Sequence, residues 1–185
     1  MLTTRRRVAT VVAGGLLLSL VIGGPARADR GQVIAAASGS GEYALLGTTP
    51  AAFSFSSVAH ENGGVGGDLH VATVFQGFAI EFEGRVTCVT QDPVNHRAWI
   101  GGIITSNNSA HPSYTTPRTQ VGQDIWFRVV DYGEGHGAPA DRSTFVGFAG
   151  DADIWTSAAY CAIQPWPADD ARTWAVTEGN IQVHD

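Results

Sequence analysis

Phe78-Ala79-Ile80-Glu81-Phe82-Glu83-Gly84-Arg85-Val86-Thr87-Cys88-Val89 alternates apolar and polar residues with a period of two. Successive side chains of a β-strand point to opposite faces. The rhythm therefore sets Phe78, Ile80, Phe82, Val86 and Cys88 on one face and turns Glu81, Glu83, Arg85 and Thr87 toward water. Asp92-Pro93-Val94-Asn95 supplies turn residues, and Arg97 to Ile104 returns as the partner strand of a hairpin. Other strands are expected at Gln32 to Glu42, Ala51 to Ala59, Gly67 to Val74, Asp124 to Asp131, Ser143 to Ala149 and Thr173 to Val183. No stretch shows a convincing amphipathic helical period.

Eight short antiparallel strands predict an all-β domain, an antiparallel up-and-down β-barrel of about eight strands, because closing the sheet removes its open edges. A two-sheet β-sandwich is the alternative architecture. Links in an up-and-down order alternate between the two rims. Residues 105–121 and 150–171 then share one rim, and residues 60–66, 91–95 and 132–142 share the other.

Ahead of the strands, Arg5, Arg6 and Arg7 precede an apolar run from Val8 to Ile22, followed by Ala26-Arg27-Ala28. This reads as a secretory signal peptide, residues 1–28, removed to leave residues 29–185 as a single secreted, extracellular domain. The apolar run, 15 residues interrupted by Gly14 and Gly15, falls short of the roughly 20 that a spanning helix requires. The paired arginines also suit twin-arginine export, so the route stays open between the two systems. Four of the 11 basic residues fall within 1–28 and all 17 acidic residues lie beyond it, which leaves residues 29–185 with a net charge of −10. Nucleic acid and anionic membrane both reward positive charge, so neither is expected as a partner, and a monomer is expected.

Cys88 and Cys161 are the two cysteines, 73 residues apart. In an oxidising compartment an even pair predicts one disulfide; two free thiols or a metal pair are the alternatives, without the clustered spacing of a zinc site. The rim assignment puts the two cysteines at opposite ends. For the bridge to form, residues 150–161 must run back along the barrel, expected as an additional strand containing Ile154, Trp155 and Tyr160.

Gly84-Arg85-Val86-Thr87-Cys88-Val89, Ala98-Trp99-Ile100-Gly101-Gly102, Val130-Asp131-Tyr132-Gly133-Glu134-Gly135 and Gly179-Asn180-Ile181-Gln182-Val183-His184 together resemble a family of small secreted β-rich proteins from high-GC Gram-positive bacteria. The resemblance covers most of residues 29–185. It implies a self-contained extracellular domain and carries no catalytic residues to this chain.

The richest polar stretch runs from Asp131 to Arg142. Asp131, Glu134 and Asp141, separated by glycines, could wrap a hard cation such as Ca²⁺, although the spacing is not that of an EF-hand. The plainer alternative is a wide hairpin whose carboxylates accept backbone amides, with Arg142 paired to one of them. His60, His96 and His136 could share that rim and bind zinc, but lack ligand spacing. Ser38-Gly39-Ser40-Gly41 lacks the flanking glycine and helix of a nucleophile elbow. Glu81 and Glu83, which could serve glycoside hydrolysis, point outward from one strand. In the last third, Trp155, Tyr160, Trp166 and Trp174 cluster around Pro165 and Pro167. Such aromatics can stack on sugars or cover an apolar pocket; the alternative is a satellite core beneath a long loop.

The expected function is a secreted, non-enzymatic binding or cell-envelope-associated module. Its ligand would be a small apolar molecule inside the barrel or a glycan at Trp155, Tyr160 and Trp166. An enzyme with its site on the 131–142 loop, a cyclase, isomerase or metal-assisted hydrolase, is the second expectation, and a structural protein without ligand the third.

Overall fold

The computed structural model describes residues 31–170 and 172–184; the expected signal peptide lies outside the described residues. Ten strands follow one another: β1 (Val33–Leu45), β2 (Thr49–His60), β3 (Val65–Gly66), β4 (Asp68–Phe75), β5 (Phe78–Asp92), β6 (Arg97–Asn107), β7 (Asp124–Val130), β8 (Arg142–Ser143), β9 (Gly147–Phe148) and β10 (Trp174–His184). One α-helix among the described residues, α1 (Ser157–Ile163), sits in the link between β9 and β10. Every segment read as a strand from the two-residue period carries one. The segment at 143–149 is split into β8 and β9 by Thr144-Phe145-Val146.

The protein is all-β, with a single antiparallel sheet in the order β1-β10-β8-β7-β6-β5-β4-β2-β3, and β1 also pairs with β2. The pairings thus return to their starting strand, but the ring is uneven. β1 matches β2 from Val33 to Leu45, whereas β8 meets β10 at only two positions, Trp174 with Ser143 and Ala175 with Arg142.

Alternation explains the interior. In β2, Ala51, Phe53, Phe55, Ser57 and Ala59 are buried while the residues between them face out. All of these but Ser57 join Tyr43, Ile80, Phe82, Ile100, Ile125, Phe127 and Ile181 in the main core. Each fully buried aliphatic or aromatic side chain stabilises the fold by about 1.5–3 kcal/mol relative to exposure.

The period breaks once in the deciding strand. The β5–β6 register slips between Val86 and Cys88, a bulge that opposes two residues of β5 to one of β6. Val86 and Val89 are both buried in the main core, and Cys88 is turned to the other face of the sheet. The expectation that Cys88 shares the face of Phe82 is corrected here, because a one-residue slip inverts every side chain beyond it. Gly101 and Gly102 sit opposite this bulge. A Cβ on Gly102 would lie 2.4 Å from the Arg85 carbonyl oxygen, and one on Gly101 would lie 2.7 Å from both Cys88 Sγ and Ser157 Cβ. Glycine is therefore required where the bulge and α1 crowd β6.

The bridge between Cys88 and Cys161 is formed. Residues 150–161 do run back along the sheet, but not as the expected strand: a 3-10 turn (Asp151–Asp153) leads through extended residues into α1. Thr156 caps the helix, its Oγ1 accepting the Ala159 amide at 3.1 Å, and Gln164 ends it in a left-handed conformation. Seven residues are too few for a helix to stand alone. Tyr160 and Cys161, buried against the sheet, hold it in place. Among the described residues no helix is long and apolar enough to cross a membrane.

Candidate functional site

β6 and β7 are covered on both faces. While Ala98, Ile100, Ile125 and Phe127 enter the main core, their neighbours Trp99 and Trp126 join Ile154 and Tyr160 in a second, outer cluster beneath α1. Trp126 and Tyr160 stack, with ring centroids 5.5 Å apart and planes 19° from parallel. Burial pushes the Tyr160 phenol well above the ordinary tyrosine value. Trp99 Nε1 donates to the Pro165 carbonyl at 2.9 Å, so an indole of the sheet fixes the chain just after the helix.

The next stretch, residues 164–170, is fixed by arginine. Arg128, wholly buried on the outer face of β7, donates to the carbonyl oxygens of Trp166 and Asp169. Burial pulls its guanidinium below the usual arginine value, opposed by the nearby Tyr160 and by Asp170 and Asp169. Arg97 donates to both oxygens of Asp170 at 3.0 and 3.1 Å, and the Tyr132 hydroxyl donates to Asp170 at 2.6 Å. Partial burial would raise the Asp170 carboxyl, but hydrogen bonds from Tyr132 and Arg97 outweigh it and hold it below its ordinary value of 3.8. A carboxylate with a depressed folded value contributes stability that is complete above the unfolded value and is lost as pH falls through the folded one. Acidification below pH 3.8 is therefore expected to release residues 164–170 before the sheet, which hydrogen exchange of those amides between pH 5 and pH 2 would detect; uniform protection at about pH 2 would contradict it.

These restraints border a groove of about 620 Å³ lined by Trp126, Tyr160, Trp166, Trp174 and Phe145, with Thr144, Asp151 and Arg172 as its polar members. It opens where the strand between β8 and β9 is interrupted. There the Thr144 hydroxyl accepts the Arg128 amide at 3.0 Å and the Thr144 amide donates to the Arg128 carbonyl at 2.9 Å, so the backbone stays paired while Phe145 and Val146 bulge away. A Cβ on Gly147 would lie 2.4 Å from Trp126 Nε1; only glycine leaves room for that indole. Arg172 lies over the Trp166 ring, 4.6 Å from its centroid.

Of the three residues expected to bind a ligand, Tyr160 and Trp166 line this groove. Trp155 is 67% exposed and stands beside it, its ring 3.5 Å from the position a Cβ on Gly150 would take. Trp126, Phe145 and Arg172 were not singled out from the sequence. Trp126 alternates with Ile125 and Phe127, and that alternation alone would have marked it as pointing away from the main core.

The loop from 131 to 142, whose Tyr132 reaches Asp170, faces β10. Asp141 Oδ2 accepts the Ile181 amide at 2.8 Å and Oδ1 the Tyr132 amide at 2.9 Å; Asp131 Oδ2 accepts the Val183 amide at 2.9 Å and Oδ1 the Gly133 amide at 2.7 Å. Glu134 accepts the side-chain amides of Asn180 and Gln182 at 2.9 and 3.2 Å. These carboxylates stand in for a strand along the part of β10 that β8 is too short to reach. Arg142 pairs with neither aspartate; it donates to the hydroxyl and carbonyl oxygens of Thr173, both at 2.7 Å. Among the described residues no three His, Cys, Asp or Glu side chains are grouped to hold a metal ion. His60 lies 3.2 Å from the Gly31 carbonyl, His96 occupies the β5–β6 turn at φ +48°, and His136 is exposed.

Two further spaces differ in character. A wide hollow of about 780 Å³ on the outer face is lined mainly by short polar residues, among them Ser38, Ser40, Ser54 and Ser56. Inside the sheet, the space between Tyr43, Phe53, Phe55, Leu69, Val71 and Phe127 amounts to about 20 Å³. Compared with protein-family models, curated proteins and solved structures, the chain matches none of them.

Proposed function

We propose that this protein is a secreted, non-enzymatic glycan-binding module that works at or near the cell envelope, carried on a closed and filled up-and-down barrel of eight strands. In this reading the ring is β1, β2, β4, β5, β6, β7, β8 and β10, with β3 and β9 as short additions. The observation that carries the proposal is the groove of aromatic rings outside the sheet, edged by hydroxyl, carboxylate and guanidinium groups. Flat rings with a few directional polar groups suit the alternating apolar and hydroxyl faces of a sugar. An apolar guest inside the sheet is disfavoured, since about 20 Å³ holds no more than one water. Export is supported by the Cys88–Cys161 bridge, which persists in oxidising compartments, and by the charged and apolar pattern of residues 1–28.

The test is titration of the protein with soluble oligosaccharides from bacterial envelopes and plant cell walls, followed by tryptophan fluorescence. Binding is expected for at least one class, and Trp166→Ala is expected to weaken it roughly tenfold, the loss of one central aromatic contact. Absence of binding across the panel, or affinity indifferent to Trp166, would reject the proposal.

A further inference from the structure

We infer that the sugar taken by the aromatic groove carries a carboxylate, that is, a uronic-acid residue, and that Arg172 recognises it; the inference rests on the glycan reading above. The groove is lined by two charged side chains, Asp151 and Arg172. Asp151 is already engaged, since one oxygen accepts the Phe148 amide at 2.8 Å and the other lies 3.7 Å from Arg118. Arg172 differs. Among the described residues no carboxylate lies within ion-pair distance of it; what holds it is the face of Trp166.

Stacking occupies the face of a guanidinium and leaves its N–H edge for a planar acceptor, and a carboxylate fits that edge with two parallel hydrogen bonds. The surroundings make the cation conspicuous. Residues 29–185 carry a net charge of −10, with 17 acidic and seven basic residues. Of the other described arginines, Arg97, Arg118 and Arg128 face carboxylates within 4.0 Å, Arg142 is bound to Thr173, and Arg85, which also lacks an ion-pair partner among the described residues, is not part of the groove lining. Arg172 is exposed at the groove, where an ion pair near a protein surface is still stronger than one in bulk water. A sugar ring packed among Trp166, Trp174 and Phe145 would bring a carboxylate on its C6 within reach of Arg172. A neutral sugar would fill the same rings and leave the guanidinium unmatched.

The experiment is calorimetric titration of the disulfide-bonded protein with oligosaccharides of galacturonate, glucuronate and mannuronate, each beside its carboxyl-reduced neutral counterpart. At least one acidic form is expected to bind roughly tenfold or more tightly than its reduced form, the effect of a hydrogen bond to a charged group. Arg172→Gln is expected to bring the pair to within about twofold of each other. Equal affinity of acidic and reduced forms for the unaltered protein would overturn the inference while leaving the glycan reading intact. A preference that survives Arg172→Gln would overturn the assignment to Arg172. If neither form of any sugar binds, the glycan reading fails along with it.

Discussion

Replacing Cys88 and Cys161 together by serine is expected to lower the unfolding free energy by about 4 kcal/mol, from the chain entropy released when a loop of that length is no longer closed. The bridge joins residues 73 apart and ties α1 to β5. Its loss is expected in two stages. The main core includes neither cysteine and nothing from α1, so the sheet keeps its own reasons to fold. The outer cluster is small, with four buried members, and loses its tether. Amides of residues 150–170 should therefore exchange at lower denaturant than those of β1, β2 and β5, and the gap between the two transitions should widen relative to the bridged protein. A single transition, shifted equally for both regions, would show that α1 and the sheet unfold as one unit. The same comparison without mutation is available by adding a reductant to the native protein.

Arg128→Met is expected to cost about 3–5 kcal/mol, although methionine matches much of the arginine volume and is helped by its apolar surroundings. The reason lies with the partners. Two carbonyl oxygens, of Trp166 and Asp169, now accept from the buried guanidinium, and both would lose that charged donor, with the Asp169 amide at 3.3 Å remaining on the Trp166 oxygen. Asp170, placed 3.9 Å from Arg128, would keep Arg97 and Tyr132. The damage should thus fall on residues 164–169, freeing Trp166 to leave the groove. Thermal unfolding measures the first effect, and the emission of the groove tryptophans the second. A loss below about 1 kcal/mol would mean that water replaces the guanidinium at those carbonyls.

The strands were legible because a period of two is a property of neighbouring residues, and the interior follows from it. What the rhythm could not show was its own interruption. Val86, Thr87 and Cys88 read as unbroken alternation, yet the bulge turns Cys88 outward, and only the glycines opposite, Gly101 and Gly102, hint at the crowding that requires it. The helix was hidden for a related reason. Ser157–Ile163 spans two turns, too short for a periodic signal, and its stability comes from Tyr160 meeting Trp126, a residue far off in sequence. Tyr160 and Trp166 could be picked out because aromatic residues crowd the last third of the chain. Arg172 could not, since its distinction is a place in the groove lining with no carboxylate within ion-pair distance among the described residues, and that depends on where the chain places the acids around it. The glycine-spaced carboxylates of the 131–142 loop illustrate the same limit. Their types suit a cation, while their positions supply acceptors to β10.

The seam at β10 also dictates an order of events. β1, the first strand, is flanked on one side by β2 and on the other by the last strand, with Ala36 opposite His184. Until β10 has been made, β1 offers a bare row of amides and carbonyls along the margin it later shares with β10, and Asp131 and Asp141 keep the Gly133 and Tyr132 amides but lack those of Val183 and Ile181. The β1–β10 contacts join strands far apart in sequence and close a long loop, so they are expected to form late in folding. A chain interrupted before Trp174 would hold nearly all the apolar residues of its interior and still lack the piece that seals them.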